Sequence, residues 1–351
     1  MLFGVGWPSL LAGFLASAAL LTACKTDPAP PSVADGSVQT DAGPFFGSVS
    51  LPVLASPQPN FFDVWGTSPN EVFLVGERGT VLRSDGETFF LEPTPITDDL
   101  RGVWGFVRPD PMGGPDVLEL YAVGNNGAII HRGEMGEWST ELSPTGNDLR
   151  AVRGRPNGRI WAVGIDGTMI TKDLRMPGGS WTTVMLPTQE TIHGLWIEEN
   201  GAAGVAVGNL GLVLRLQPDQ TWTRQRIDGL SIPLQGVWGV AADRVWIVGL
   251  DGTILRSRGA EFEEVDGAPA YYLRRVTGLG FGEVWITAWG GNLVHVAGDT
   301  VTPYPAFSEH RLEGIWATLL DVPDPNNPDG GIIQVPRYYV TGVTGQVLVG
   351  P

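Results

Sequence analysis

The chain has 351 residues, one cysteine and a formal net charge of −16 at pH 7. Nucleic acids and anionic lipid surfaces repel so acidic a protein, so we expect neither as a partner. A single cysteine excludes an internal disulfide, so stability has to come from packing of the apolar core.

The N-terminus carries the pattern of a bacterial lipoprotein signal. Residues 10–21 are apolar or small and lead into Leu21-Thr22-Ala23-Cys24, although residues 1–8 lack the usual Lys or Arg. The apolar stretch is shorter than the about 20 residues of a spanning helix. We therefore expect a signal peptide over residues 1–23 and lipidation of Cys24, which would anchor the protein in the cell envelope. Lys25 replaces the Asp that retains some lipoproteins at the inner membrane, which favours the outer membrane.

Residues 24–44 are rich in Pro, Ala, Ser, Asp and Gly and contain almost no large apolar side chain. Such a composition cannot bury enough apolar surface to fold. We expect a disordered tether here, with the folded domain over residues 45–351.

The folded domain is a sevenfold repeat. The first copy reads Phe62-Asp-Val-Trp-Gly66 and then Val72-Phe-Leu-Val-Gly76. The closing glycine recurs at intervals of roughly 40–50 residues, the length of a four-stranded propeller blade. Its positions are Gly76, Gly124, Gly164, Gly208, Gly249 and Gly342, with Ala288 in the sixth copy. The repeat predicts an all-β fold, a seven-bladed β-propeller.

Each copy divides into four short strands, A to D. Residues 100–105 are typical of strand A and residues 244–249 of strand B. A tight turn such as Leu250-Asp251-Gly252 follows strand B, because Asp-Gly supplies the positive φ that such turns need. Strand C comes next, and strand D has an aromatic near its start, for example Trp222.

The seventh copy ends without a strand D. Residues 46–52 match residues 181–187 in pattern and precede the first strand A. We predict that this N-terminal strand pairs with residues 346–349 and completes the last blade, which removes an open edge from the ring.

Most of the 13 tryptophans fall in two repeated positions. Those of strand A are Trp65, Trp104, Trp196, Trp238 and Trp316, and those of strand B are Trp161, Trp246 and Trp285. We expect both sets to fill the space between blades. Trp289 lies in the turn of the sixth copy, where other copies have Glu, Asn, Ile or Leu, and is either a ligand contact or a local packing residue.

Residues 64–82 resemble the repeat of bacterial BNR-type propellers, including proteins similar to the photosystem II assembly-factor family. The Asp box of such repeats, Ser/Thr-x-Asp-x-Gly-x-x-Trp, is decayed here, since Ser84-Asp85-Gly86-Glu87-Thr88-Phe89 lacks spacing around its Asp. The resemblance implies the propeller fold but no single activity, because the superfamily holds sialidases, lyases, assembly factors and scaffolds.

Motifs for catalysis, cofactors or metals are missing from the sequence. His131, His193, His295 and His310 are not at metal-ligand spacing, and neither a P-loop nor a dinucleotide fingerprint occurs. We expect no cofactor and no metal. The favoured function is a monomeric, non-catalytic binding or scaffolding module for an unknown protein or glycan. A glycan-active hydrolase or lyase and a purely structural surface protein stay open.

Two places are candidates for binding. Arg101, Arg150 and Arg274 recur at one position of strand A, where other copies have Phe62, His193, Gln235 and Glu313. Sialidases hold a sugar carboxylate with three arginines beside a tyrosine, and Tyr272 is close in sequence to Arg274. The candidates at this channel mouth are Arg101, Arg150, Arg274, Trp289 and Glu313. The alternative is the opposite face, where long A–B connections at residues 106–119 and 318–337 are expected to form binding loops.

Overall fold

The structure is a computed structural model that describes residues 46–110, 113–156, 158–176, 178–304, 310–325 and 331–350. These residues form seven four-stranded antiparallel sheets, which confirms the predicted seven-bladed β-propeller. Within the described part of the chain, no helix is long and apolar enough to cross a membrane. The predicted signal peptide, the tether and Cys24 lie outside the described residues.

Strand β1 (Gly47–Ser48) comes first in the chain and belongs to the last blade. Blades one to three then follow in chain order. Their strands are β2 (Phe61–Ser68), β3 (Glu71–Gly76), β4 (Val81–Ser84), β5 (Phe89–Glu92), β6 (Leu100–Arg108), β7 (Val117–Gly124), β8 (Ile129–Arg132), β9 (Trp138–Thr140), β10 (Leu149–Gly154), β11 (Arg159–Gly164), β12 (Met169–Asp173) and β13 (Thr182–Thr183).

Blades four to seven repeat the same order of strands, A to D from the channel outwards. Their strands are β14 (Ile192–Ile197), β15 (Gly204–Gly208), β16 (Leu212–Leu216), β17 (Trp222–Gln225), β18 (Leu234–Ala241), β19 (Arg244–Gly249), β20 (Ile254–Arg258), β21 (Glu261–Glu264), β22 (Leu273–Gly280), β23 (Glu283–Ala288), β24 (Leu293–Ala297), β25 (Thr300–Tyr304), β26 (Leu312–Pro323), β27 (Ile332–Gly342) and β28 (Val347–Gly350).

The N-terminal strand closes the ring as predicted. Gly47 pairs with Val349 and Ser48 with Leu348, and the Val49 amide donates to the Val347 carbonyl at 3.0 Å. Phe46 is 6% exposed and meets the Trp285 ring edge-on, with 5.4 Å between centroids. The strand thus completes the hydrogen bonding of blade seven, and its first aromatic residue packs against blade six.

The B–C turns have the left-handed residues that the sequence predicts. In blade one, Arg78 (φ 56°) and Gly79 (φ 66°) are the central residues, and the Thr80 amide donates to the Glu77 carbonyl at 3.0 Å. This is the geometry of a type I′ turn, which matches the twist of a β-hairpin. Each blade has two such residues in succession. The other six pairs begin at Asn126, Asp166, Leu210, Asp251, Gly290 and Thr344.

A close backbone approach explains the glycine that ends strand B. The Glu77 amide donates to the Asn60 carbonyl, the residue before strand A, at 3.0 Å. A Cβ on Gly76 would collide with that same carbonyl oxygen. Blade six has Ala288 here, and its backbone φ is −140° instead of the −161° of Gly76.

The tryptophans of strand A pack onto the next blade. A Cβ added at Gly66 would lie 2.9 Å from the Trp316 ring, and one at Gly105 would lie 3.0 Å from Trp65. The glycine of the Trp-Gly pair therefore makes room for the indole of the preceding blade. The tryptophans of strand B are at most 4% exposed, so the prediction that they are core residues is confirmed.

The two long A–B connections are not loops, which corrects the sequence-based expectation. In blade seven, pairing continues from Thr318 with Arg337 to Pro323 with Ile332. In blade two, it continues from Phe106 with Glu119 to Arg108 with Val117. Only residues 109–116 and 324–331 connect the strands. Alternating β-branched and aliphatic residues favour pairing, whereas Pro, Asp and Gly concentrate at the tips.

Candidate functional site

The predicted arginines occupy one structural position, a bulge near the start of the innermost strand. The pairing of β6 with β7 skips from Leu100 to Gly102, and that of β22 with β23 skips from Leu273 to Arg275. Arg101 and Arg274 are the skipped residues. A bulge re-aims its extra side chain out of the ladder. The equivalent residues are Phe62, Arg101, Arg150, His193, Gln235, Arg274 and Glu313.

Side chains from this position meet those of neighbouring blades around the channel mouth. The Arg101 guanidinium lies 3.9 Å from the centroid of the Phe62 ring. Arg274 contacts Gln235 on one side and Glu313 on the other. We call this ring of seven residues the mouth ring. It lies at the end of the propeller that carries the B–C turns, because Arg101 also reaches Asn125 in the turn of its own blade.

Glu313 is a buried carboxylate between two guanidinium groups. Its side chain is 2% exposed. Arg274 donates to Oε2 of Glu313 through Nε at 2.9 Å and Nη2 at 2.6 Å, and Nε of Arg311 lies 2.6 Å from Oε1. Arg274 also donates through Nη1 to Gln235 at 2.9 Å. Charge-assisted bonds of this kind offset the cost of burying the carboxylate.

Arg101 and Arg150 are paired less completely. Arg101 donates to Asp99 at 3.0 Å and to Asn125 at 3.1 Å, and burial lowers its pKa. The only ion pair of Arg150 among the described residues joins Nη2 to Asp148 at 3.8 Å. Its Nε atom is buried and has no hydrogen-bond partner in the described part of the chain. The Arg150 side chain is 33% exposed, so its outer nitrogens have more donor capacity left for a ligand than those of Arg101 or Arg274.

Asp99 and Asp148 also connect neighbouring blades through hydrogen bonds. Oδ1 of Asp99 accepts the Arg78 amide from the turn of blade one, and Oδ1 of Asp148 accepts the Asn126 amide from the turn of blade two, both at 3.0 Å. At the ring closure, Oδ1 of Asn60 accepts the Thr344 amide at 2.7 Å. The acids that orient the mouth arginines are thus fixed to the turns.

His193 adds a neutral imidazole to the mouth ring. Burial lowers its pKa to about 4, and the nearby positive charges of Arg274 and Arg150 contribute to the shift. At neutral pH, Nε2 donates to Oδ1 of Asn209 at 2.8 Å.

Trp289 forms an aromatic platform at the same mouth. Its ring stacks on Tyr272 with 4.2 Å between centroids and an interplanar angle of 5°. The side chain is 42% exposed, and the Arg311 guanidinium lies 5.7 Å from its centroid. All five predicted site residues are therefore found at one end of the propeller, and Tyr272 and Arg311 join them.

A second set of charged side chains, Asp63, Arg153 and Arg275, lies on the innermost strands next to the mouth ring. It was not predicted from the sequence. Asp63 is 2% exposed and accepts the Val103 amide at 3.0 Å, and Arg153 lies 3.6 Å from it. Arg275 donates to the Gln235 carbonyl at 3.1 Å, and burial lowers its pKa to about 10. A signal was available, because other blades have Gly or Ala where Asp63 and Arg275 occur.

His131 and His295 occupy similar positions in strand C, and each contacts a carboxylate and an aromatic ring. His131 lies 2.5 Å from Glu119 and stacks on Tyr121, and His295 lies 2.8 Å from Glu283 and stacks on Trp285. Across the described residues, no group of three His, Cys, Asp or Glu side chains is placed to hold a metal ion.

The comparisons with known proteins show a shared fold. No family model matches the chain, and no curated protein matches it. Among solved structures, "YCF48 bound to D1 peptide" is similar with a TM-score of 0.63 and 17% identity over 89% of this chain and 96% of that one. YCF48 from Cyanidioschyzon merolae gives 0.63 and 19% identity over 87% and 98%. Virginiamycin B lyase from Staphylococcus aureus gives 0.67 and 14% over 87% and 98%. At such identities the likeness is one of fold.

Proposed function

We propose that this protein is a non-catalytic binding module that holds an acidic segment of a protein partner at the mouth ring. We further propose that a lipid on Cys24 keeps it at the cell envelope, most simply at the outer membrane. The observation that carries the binding proposal is the incomplete pairing of Arg150 beside Arg101.

The balance of donors and acceptors decides the charge of the ligand. Glu313 is buried and already bound by two arginines, and Asp99 and Asp148 are engaged by backbone amides. Among the described residues of the mouth ring, Arg150 is the arginine with the fewest protein partners, one ion pair to Asp148 at 3.8 Å, and its side chain is 33% exposed. Guanidinium groups bind carboxylates through paired, charge-assisted hydrogen bonds. A ligand with carboxylates matches this surface better than a neutral sugar does.

The aromatic platform supports a ligand with an apolar group next to its charge. Trp289 presents an exposed indole that Tyr272 holds flat. Aromatic side chains of this kind are enriched in binding surfaces because they offer a rigid apolar area. A peptide with an acidic and an aromatic or aliphatic residue would satisfy both the arginines and the indole. The similar propeller described as bound to a peptide supports this ligand class.

The alternative is a glycan-active hydrolase or lyase. A sialidase-like site needs three arginines free to bind one sugar carboxylate. Here Arg274 donates three hydrogen bonds to Glu313 and Gln235, and Arg101 donates to Asp99. Arg274 and Arg101 are engaged by the protein itself, so three free arginines are not available for one sugar carboxylate, which counts against a sialidase-like site.

The binding proposal is tested with a fluorescein-labelled ten-residue peptide of alternating Glu and Phe, and with its Gln–Phe counterpart. We expect fluorescence anisotropy to show at least tenfold tighter binding of the acidic peptide, weakened at least tenfold in an Arg101→Ala/Arg150→Ala variant. Arg244→Ala is the control, because Arg244 is exposed at the start of a strand B, away from the mouth. Equal affinity for both peptides, or an equal loss in the control, would refute the proposal.

A separate assay distinguishes the enzymatic alternative. We expect the wild-type chain to leave a fluorogenic sialoside intact. Turnover that disappears in Arg274→Ala would replace the binding proposal with the hydrolase reading.

A further inference from the structure

The extension of blade seven is a two-stranded ribbon that leaves the body of the blade. It consists of residues 318–323 of β26 and residues 332–337 of β27, and we call it the blade-seven ribbon. Its six cross-strand pairs give it a length of about 20 Å at 3.3 Å per residue. Strand β28 pairs with β27 only over Tyr338–Thr341, so in the described part of the chain no third strand accompanies the ribbon.

The ribbon exposes aliphatic side chains to solvent. Ile332 is 70% exposed, Leu319 40% and Ile333 36%. Leu320 pairs with Val335 and Val322 with Ile333, so one face of the ribbon is aliphatic. Leu319 and Ile332 are on the opposite face. An isolated two-stranded ribbon is marginally stable in water, and clustered exposed aliphatic residues mark interaction sites.

The ribbon and the segment that connects its strands have an excess of acidic residues. Residues 318–337 contain Asp321, Asp324 and Asp329 and a single cation, Arg337, at the base of the ribbon. Oδ1 of Asp321 accepts a hydrogen bond from Gln334 at 3.0 Å, which keeps this carboxylate on the ribbon. The same charge would repel a second copy of the ribbon and an anionic membrane, whereas it attracts a cationic segment.

The ribbon and the mouth ring lie at opposite ends of the propeller. Strand β26 carries Glu313 of the mouth ring near its start and the ribbon at its end. The ribbon is therefore a second surface, independent of the proposed mouth site.

We propose that the blade-seven ribbon binds an extended segment of a protein partner in which aliphatic side chains alternate with Lys or Arg. The segment pairs with the open edge of the ribbon as a third strand, the known mode of β-strand addition. Its aliphatic side chains cover Ile333 and Val335 on one face of the ribbon, and its cations lie on the opposite face with Asp321. Pro336 has no amide hydrogen and limits the pairing to the distal part of the ribbon.

The probe is a labelled ten-residue peptide of alternating Val and Lys, titrated with the full chain. Its counterparts alternate Val with Glu and Ser with Lys. We expect the Val–Lys peptide to bind at least tenfold more tightly than either. In an Ile332→Ser/Ile333→Ser variant, and separately in Asp321→Asn, we expect at least a tenfold loss. Leu142→Ser is the matched control, because Leu142 is 92% exposed outside the ribbon.

Two companion measurements test other occupants. Equal binding of all three peptides, or an equal loss in Leu142→Ser, would overturn the proposal. So would sedimentation with phosphatidylcholine vesicles that Ile332→Ser/Ile333→Ser abolishes, since a membrane would then be the occupant. A dimer in analytical ultracentrifugation that the same variant dissociates would assign the ribbon to a second copy of the chain. Circular dichroism melts of each variant establish that binding losses are not due to unfolding.

Discussion

Arg274 of blade six and Glu313 of blade seven form a buried ion pair that joins two blades at the channel mouth. Two guanidinium nitrogens of Arg274 lie 2.9 and 2.6 Å from one carboxylate oxygen, and the carboxylate side chain is 2% exposed. Removal of Arg274 leaves the buried carboxylate with only one of its two guanidinium partners, which is costly.

This pair gives the first prediction. We expect Arg274→Ala to lower the free energy of unfolding by about 3 kcal/mol, because Glu313 would keep only Arg311. Urea denaturation measures the loss. Arg258→Ala is the control, since Arg258 is 82% exposed in its pair with Glu263 and should change stability by less than about 0.5 kcal/mol. Equal losses in the two variants would mean that the buried pair adds nothing.

The ring closure gives the second prediction. We expect Phe46→Ala to destabilise the protein by about 3 kcal/mol, because it removes a buried ring from Trp285 and leaves a cavity. Thermal and urea unfolding test this loss. Phe90→Ala, at a side chain 53% exposed, should have a much smaller effect. Stability unchanged in Phe46→Ala would show that the N-terminal strand does not hold the ring closed.

The close approach at the end of strand B gives the third prediction. We expect Gly76→Ala to cost about 2 kcal/mol or more, because its Cβ would collide with the Asn60 carbonyl oxygen. The natural Ala288 in the equivalent place supplies a matched control. Ala288→Gly should cost no more than about 1 kcal/mol, since it removes one methyl group and adds backbone freedom. The urea unfolding midpoints of the two variants measure these losses. A larger loss in Ala288→Gly than in Gly76→Ala would contradict the explanation.

His193 gives a prediction on pH. Its folded pKa is lowered to about 4 from the ordinary 6.5, so the unfolded chain takes up the proton first as the pH falls. The contribution of His193 to the free energy of unfolding should therefore be fully present above pH 6.5. It should decrease between pH 6.5 and 4, by up to about 3 kcal/mol. Urea unfolding at several pH values measures the slope. We expect His193→Gln to flatten this slope and His295→Gln to retain it. The same slope in all three proteins would exclude His193 as the cause.

The lipoprotein hypothesis gives the last prediction. We expect wild-type protein in membrane fractions with an acylated N-terminal Cys24 in mass spectra, and unprocessed or soluble protein from Cys24→Ala. The signal-peptide cut and the lipid require the thiol. Lys25→Ala should still be acylated, which controls for the substitution itself. Membrane fractionation of Cys24→Ala like that of the wild type would disprove the anchor.

The sequence by itself determined the architecture, because the signals are local and repeated. The turn pair at Asp251 and Gly252 sets a type I′ hairpin from backbone sterics alone. The pattern match between residues 46–52 and 181–187 was enough to predict which strand closes blade seven. Seven copies of each signal agree, so an exception such as Ala288 does not obscure the period.

Only the tertiary structure decided which charged residues meet. Gln235 and Glu313 each lie 39 residues from Arg274 in sequence. They contact it because the ring places the same strand position of neighbouring blades side by side. Asp63 and Arg275 differ from the Gly or Ala at the equivalent position of the other blades. Their burial, however, results from the packing of the innermost strands. The A–B extensions were misread because Pro, Asp and Gly at the tips indicated loops, whereas the pairing of residues 318–323 with 332–337 depends on cross-strand contacts that local composition does not determine.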